Sequence, residues 1–126
     1  AKCSLGFTEA LLRGIGCNWL VCLAVFAAAA STETIGKIAA LWFPTMAFVA
    51  LGMEHCIANM FFIPLGILTG TDPRYIALVE AGKAAALKAD FYSFAVGNLI
   101  PVTIGNIIGG SVLVGMLYLA ANIKKA

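Results

Sequence analysis

Apolar residues in this chain run in three long blocks, set apart by two polar stretches. The first block, over about 10–30, contains GIGCNWLVCLAVFAAAA; Thr8 and Glu9 precede it and Ser31-Thr32-Glu33 closes it. A helix rises about 1.5 Å per residue, so some 20 residues cross a hydrocarbon core about 30 Å thick. This block predicts one membrane-spanning helix.

The second block, over about 36–69, is too long for a single span and is interrupted by Pro44, Gly52, Pro64 and Gly66. Glu54-His55 and Asn59 lie among these breakers. Ionisable groups beside helix breakers at membrane depth predict a discontinuous helix lining a cavity, where the freed backbone groups find partners. The stretch 71–90 then gathers Asp72, Arg74, Glu80, Lys83, Lys88 and Asp90. Asp72-Pro73 marks a turn, and 74–89 reads as a surface helix within an extramembrane connection. The third block, over about 91–122, holds Asn98, Pro101, Thr103 and Asn106 in its first half. Gly97, Pro101, Gly105 and Gly109 recur every fourth residue, on one helical face where small residues permit close approach. Lys124 and Lys125 cap the far end.

Composition agrees with this pattern. Hydrophobic residues make up 62% of the 126 and charged residues 11%, against about 25% charged in a soluble domain. The expectation is an all-α polytopic membrane protein with a lipid bilayer around it. A net charge of +2, with no basic run beyond two lysines, excludes nucleic acid as a partner. Cys3, Cys17, Cys22 and Cys56 form no CxxC pair, and a lone histidine assembles no zinc spacing. No metal, cofactor or catalytic constellation stands out, so an enzyme is not expected. Three spans place the termini on opposite sides; the loop count of lysines and arginines, five against three, would put the C-terminus outside. No cleavable signal peptide is read. A start at Ala1 rather than Met suggests sequence upstream.

Glu54-His55 is the sharpest chemical feature. A charged side chain at mid-membrane costs roughly 2.5–3.5 kcal/mol on insertion scales. One reading has His55 face a pore, where it hydrogen-bonds a passing anion or exchanges a proton with it; histidine alone titrates near neutrality unperturbed. The other has both residues satisfy loose backbone at the helix break. Adjacent helical residues point about 100° apart, so Glu54 can brace the break while His55 faces the lumen. Asn18, Asn59 and Asn106 contribute one amide per block, either as interhelical hydrogen bonds or as a polar track for a small solute. Phe48 precedes His55 by seven residues, about two helical turns on a similar face. It is placed either for packing or for a dry constriction.

The segments GCNWLVCLAV (16–25), AFVALGMEHCIANMFFIP (47–64) and NLIPVTIGNIIGG (98–110) resemble motifs of the formate/nitrite transporter family in order and spacing. That resemblance covers essentially the whole chain. It implies an aquaporin-like bundle of six spans in two inverted three-span repeats, assembled as a homopentamer with one pore per protomer. This chain would correspond to the second repeat, the first being absent. The implied function is transport of small monovalent anions or their conjugate acids (formate, nitrite, hydrosulfide), with the proton as a partner, in a prokaryotic inner membrane. By position, His55 would be the central pore histidine and Asn106 its neighbour. Asn18 and Val21 would line the pore, Phe48 would form a constriction, and Lys2 would be the vestibule lysine that attracts anions. Glu54, Asn59, Pro101 and Thr103 are assigned to the structure of the helix breaks. Met53 departs from the family pattern, where an aromatic residue is common. Two other classes remain open: a water or neutral-solute channel, although no Asn-Pro-Ala triplet occurs, and a non-conducting accessory subunit.

Overall fold

The computed structural model describes residues 2–77 and 90–123, and every regular element among them is helical. A 3-10 turn, Lys2–Ser4, leads into α1, Phe7–Ala30. The middle block forms two helices, α2 (Thr34–Ala50) and α3 (Cys56–Thr69). The single turn α4, Pro73–Ile76, follows, and α5, Ser93–Ile123, completes the chain. Within α5, the stretches Ser93–Leu99 and Ile108–Met116 are wound as the wider π-helix. The surface helix expected over 74–89 falls outside the described residues from 78 onward, as do Lys124 and Lys125.

Helix α1 starts at Phe7 behind Gly6, which gives no side-chain cap, rather than at Thr8 and Glu9. Phe7, Thr8 and Glu9 are exposed; packing begins at Ala10, which is buried and whose amide donates to the Gly6 carbonyl oxygen at 2.9 Å. Pro44 and Pro64 lie inside α2 and α3 and break neither. Helices in a bilayer tolerate an interior proline when local adjustments satisfy the freed carbonyl. The break falls instead at 51–55, where Gly52 has φ +64°, the one positive φ among the described residues. Glycine lacks the Cβ that makes this region costly for other residues.

Helix α1 packs against α2 on one side and against the middle of α5 on the other. Its contact with α5 runs through small residues. A Cβ on Gly14 would stand 2.8 Å from the Val102 carbonyl oxygen, one on Gly105 would strike that of Leu11, and one on Gly109 that of Ile15. The glycines spaced by four therefore do bring two backbones together. Ala10, Cys17, Ala24, Val102 and Val114 fill the remaining core. At the far end Phe26 stacks on Tyr118 with centroids 4.1 Å apart.

Outward faces are almost wholly apolar. Trp42 and Phe61 are each 63% exposed, and Ile35, Ile57, Phe62 and Leu68 also point outward. In water such surface costs about 25 cal/mol per Å², whereas lipid receives it freely. Helices α1 and α5 are long and apolar enough to cross a bilayer. Helices α2 and α3, with 17 and 14 residues, are shorter and meet end to end at the break. The result is a polytopic, all-helical membrane fold with a broken middle helix.

Candidate functional site

The break is closed by the chain's own groups. At the end of α2 the Leu51 amide donates to the Ala47 carbonyl oxygen at 2.9 Å, Gly52 to Val49 at 3.0 Å and Met53 to Phe48 at 3.0 Å. Those bonds occupy carbonyls that a helix terminus otherwise leaves open. Met53, where the family pattern favours an aromatic, lays its thioether on Gly16; a Cβ there would lie 3.0 Å from Met53 Cε.

Helix α3 begins at the same point, and side chains satisfy its first amides. The Cys56 amide donates to Asn106 Oδ1 at 2.9 Å. The Ile57 amide donates to His55 Nδ1 at 3.2 Å, making His55 the N-cap. This bond has a chemical consequence. Nδ1 is an acceptor here, so in the neutral imidazole the proton sits on Nε2, which remains available as a donor. Phe48 lies beside it, the two ring centroids 6.1 Å apart and tilted by 47°. Both residues are half-buried.

Glu54 lies beneath the break, 3% exposed. Its Oε1 accepts from Lys2 Nζ at 2.9 Å. Its Oε2 accepts from Asn59 Nδ2 at 2.6 Å and from Asn98 Nδ2 at 3.2 Å. Asn59 also donates to Asn98 Oδ1 at 2.7 Å, and Asn98 donates to the Lys2 carbonyl oxygen at 3.1 Å. Burying a carboxylate is tolerable only when it is paired and hydrogen-bonded, and these contacts provide both. They also tie the N-terminal turn, α3 and α5 to one side chain. Asn59 Oδ1 is buried without a partner among the described residues.

Asn106 was expected at the pore beside His55. It lies 4% exposed, with its amide fully engaged by main chain. Beyond the bond from Cys56, its Nδ2 donates to the Gly14 carbonyl oxygen at 2.8 Å and to that of Glu54 at 3.0 Å. It therefore joins α1 and α5 to the break. Asn18 is half-buried and donates from Nδ2 to the Asn106 carbonyl oxygen at 2.7 Å. Val21 is half-buried on the same helix, one turn further on. Pro101 is fully buried and Thr103 half-buried in α5, on the stretch between Asn98 and Asn106, the two residues of that helix that hydrogen-bond Glu54. Lys2, expected as an anion-attracting group at the mouth, has its ammonium on Glu54 while its side chain stays 38% exposed.

Three residues matter here that the sequence did not single out as site residues. Asn98 completes the carboxylate's shell, and the rule that flagged the other amides at depth applies equally to it. Gly14 supplies both a carbonyl to Asn106 and the close approach to Val102. Arg13 donates from Nη1 to the Gly52 carbonyl oxygen at 2.9 Å and from Nη2 to Glu9 Oε1 at 2.6 Å. Among the described residues, no three His, Cys, Asp or Glu side chains gather to hold a metal ion.

A family model described as formate/nitrite transporter matches residues 1–120. A probable formate transporter of Methanothermobacter thermautotrophicus is 47% identical over 122 residues, covering 97% of this chain and 38% of that protein. The formate channel FocA of Escherichia coli (strain K12) is 42% identical over 114 residues, 89% of this chain and 40% of that one. Among solved structures, a pentameric formate channel with formate bound is similar at TM-score 0.82 and 40% identity, over 97% of this chain and 49% of that chain. An FNT family ion channel is similar at TM-score 0.70 and 31% identity, over 95% and 42% respectively. The chain thus spans less than half the length of these relatives.

Proposed function

We propose a function that starts from one fact: this chain belongs to the formate/nitrite transporter family. It forms the second of two inverted three-span repeats, and with the first it encloses a pore for small monovalent anions or their conjugate acids. Formate is the first substrate, since several relatives are named formate channels or transporters; nitrite and hydrosulfide are of similar size and charge. One copy of this pore sits in each protomer of a homopentamer, the state of one similar structure. The host membrane is a prokaryotic inner membrane. Relatives of this chain are transporters and channels rather than enzymes.

The observation that carries this reading is the pairing of His55 with Phe48 at the helix break. His55 offers Nε2–H to an anion's oxygen while Phe48 keeps the passage dry. A bare anion loses its hydration in such a slit at high cost, and the conjugate acid does not. Lys2 supports the same scheme, because an ammonium has three donors and Glu54 takes one. The remainder face an arriving anion. A proton taken from the bathing solution together with the anion then lets it pass as an acid, with the imidazole neutral before and after, and Asn18 and Val21 line the route beyond.

Uptake of formate and nitrite into proteoliposomes carrying the full-length protein tests this. Formate uptake well above that of empty vesicles is expected, with most of it lost in His55→Ala. Equal uptake in wild type and variant would remove His55 from the pore. Water flux alone would indicate a neutral-solute channel.

A further inference from the structure

Arg13 grips the broken segment twice. Its main-chain oxygen accepts from the Glu54 amide at 3.3 Å, and its Nη1 donates to the Gly52 carbonyl oxygen at 2.9 Å. Glu9, one turn earlier on α1, holds the other arm of the guanidinium at 2.6 Å. A planar fork with fixed donor directions serves two partners at a set angle, which a flexible ammonium does not do. Gly52 is where such a grip matters most. It is the residue with φ +64°, and a glycine backbone has more freedom to move than any other. His55 follows three residues later. From the opposite side, Asn106 holds the Glu54 carbonyl and the Cys56 amide. The segment between α2 and α3 is thus fixed by α5 at its far end and by α1 at its near end.

We propose that Arg13 is a positioning residue: through Gly52 it fixes His55 against Phe48 and so sets the width of the slit that sorts anions by size. This rests on the reading that His55 faces the pore. Arg13 does not act as a free charge drawing anions in, because Glu9 already pairs with it. Its effect belongs in selectivity and in the placement of the imidazole.

The test uses full-length protein in proteoliposomes, with formate and acetate uptake measured for wild type, Arg13→Met, Arg13→Lys and Glu9→Gln. In parallel, the rate at which diethyl pyrocarbonate modifies His55 is followed by mass spectrometry. Arg13→Met, eluting like wild type in detergent, is expected to change the acetate-to-formate ratio and the His55 modification rate by about threefold or more, the population shift expected from one lost hydrogen bond. Arg13→Lys should recover part of both, since an ammonium on a shorter stem reaches Gly52 or Glu9 but not both. Glu9→Gln should fall between wild type and Arg13→Met. A folded Arg13→Met with both readouts unchanged overturns the proposal. So does a raised KM for formate with both unchanged, the mark of a simple attracting charge. If Arg13→Met does not assemble, unchanged readouts in both other variants overturn it equally. Wild-type vesicles that take up no formate would instead defeat the transport reading, while the modification rates still decide whether Arg13 positions His55.

Discussion

The ammonium of Lys2 lies 2.9 Å from Oε1 of Glu54, so the start of the chain is ion-paired with the break in its middle. The two ends of this bond sit in different surroundings. Glu54 is buried, whereas Lys2 keeps more than a third of its side chain exposed. Removing the lysine therefore leaves the costlier partner behind.

Lys2→Met is expected to lower stability by about 2–3 kcal/mol, at or below the roughly 3–5 kcal/mol of a fully buried pair, because the exposed lysine already shares its field with solvent. Adding Glu54→Gln should return part of that loss, since a neutral amide needs no counter-charge. Thermal unfolding of the detergent-solubilised protein measures both. A double variant less stable than Lys2→Met alone would show that the carboxylate does more than pair with Lys2.

Asn106→Ala should be more damaging than Asn18→Ala. It leaves the Cys56 amide and the Gly14 and Glu54 carbonyls without their side-chain partner. At about 1–3 kcal/mol for a buried group left unpaired, a loss near 3 kcal/mol is expected after local relaxation. Asn18→Ala removes one bond and should cost about 1 kcal/mol. Melting curves for the two variants decide the order.

Two glycine substitutions should move stability in opposite directions. A Cβ at Gly109 would strike the Ile15 carbonyl oxygen and approach Trp19 N at 3.0 Å. Backbone on a packed helix cannot step aside, so Gly109→Ala should cost about 1–3 kcal/mol. Gly66 lies inside α3 with nothing within 4 Å of its would-be Cβ. Gly66→Ala should gain about 0.5–1 kcal/mol from lower chain entropy. Equal effects on the melting temperature would contradict the packing described for α1 and α5.

Outside the spans, Asp72 caps α4 and pairs with Arg74 at 2.7 Å. The Arg74 side chain chiefly, and its main-chain amide next, hold the Asp72 carboxyl below its ordinary 3.8. A depressed folded value means that the capping contribution is complete above the ordinary range. It fades only as pH falls through the lowered value. The turn should therefore be unaffected between pH 5 and 8, to take a rough working range. In Arg74→Met the Asp72 titration should move upward, as read from the carboxyl carbon shift by NMR.

The three blocks and the broken middle helix were legible because apolar run length and Gly52 beside Glu54-His55 are local signals. The site of the break was not marked by Pro44 or Pro64, although both are breakers in water. Their neighbours in the bilayer absorb the lost amide, so only the glycine with a left-handed backbone interrupts the chain. Asn106 was legible as a polar residue at depth, but its partners lie 50 and 92 residues away. Spacing along one helix says nothing about contacts of that range. Lys2 carried a role by resemblance; its bond to Glu54 depends on how the first turn lies over the bundle. Arg13 reads from sequence as a stray charge near a helix start, and only the approach of Gly52 gives it a partner.

The shell around Glu54 is also ordered in time. Lys2 and Arg13 are already synthesised when Glu54 leaves the ribosome, and Asn59 follows five residues later. Asn98 emerges 44 residues after Glu54 and Asn106 52 residues after it. At about 5–20 residues per second, seconds pass before the amides of α5 exist. During that interval the described partners of the carboxylate that already exist are Lys2 and Asn59. The hydrogen-bonded shell of the carboxylate is therefore complete only once the last helix has been made and Asn98 is in place.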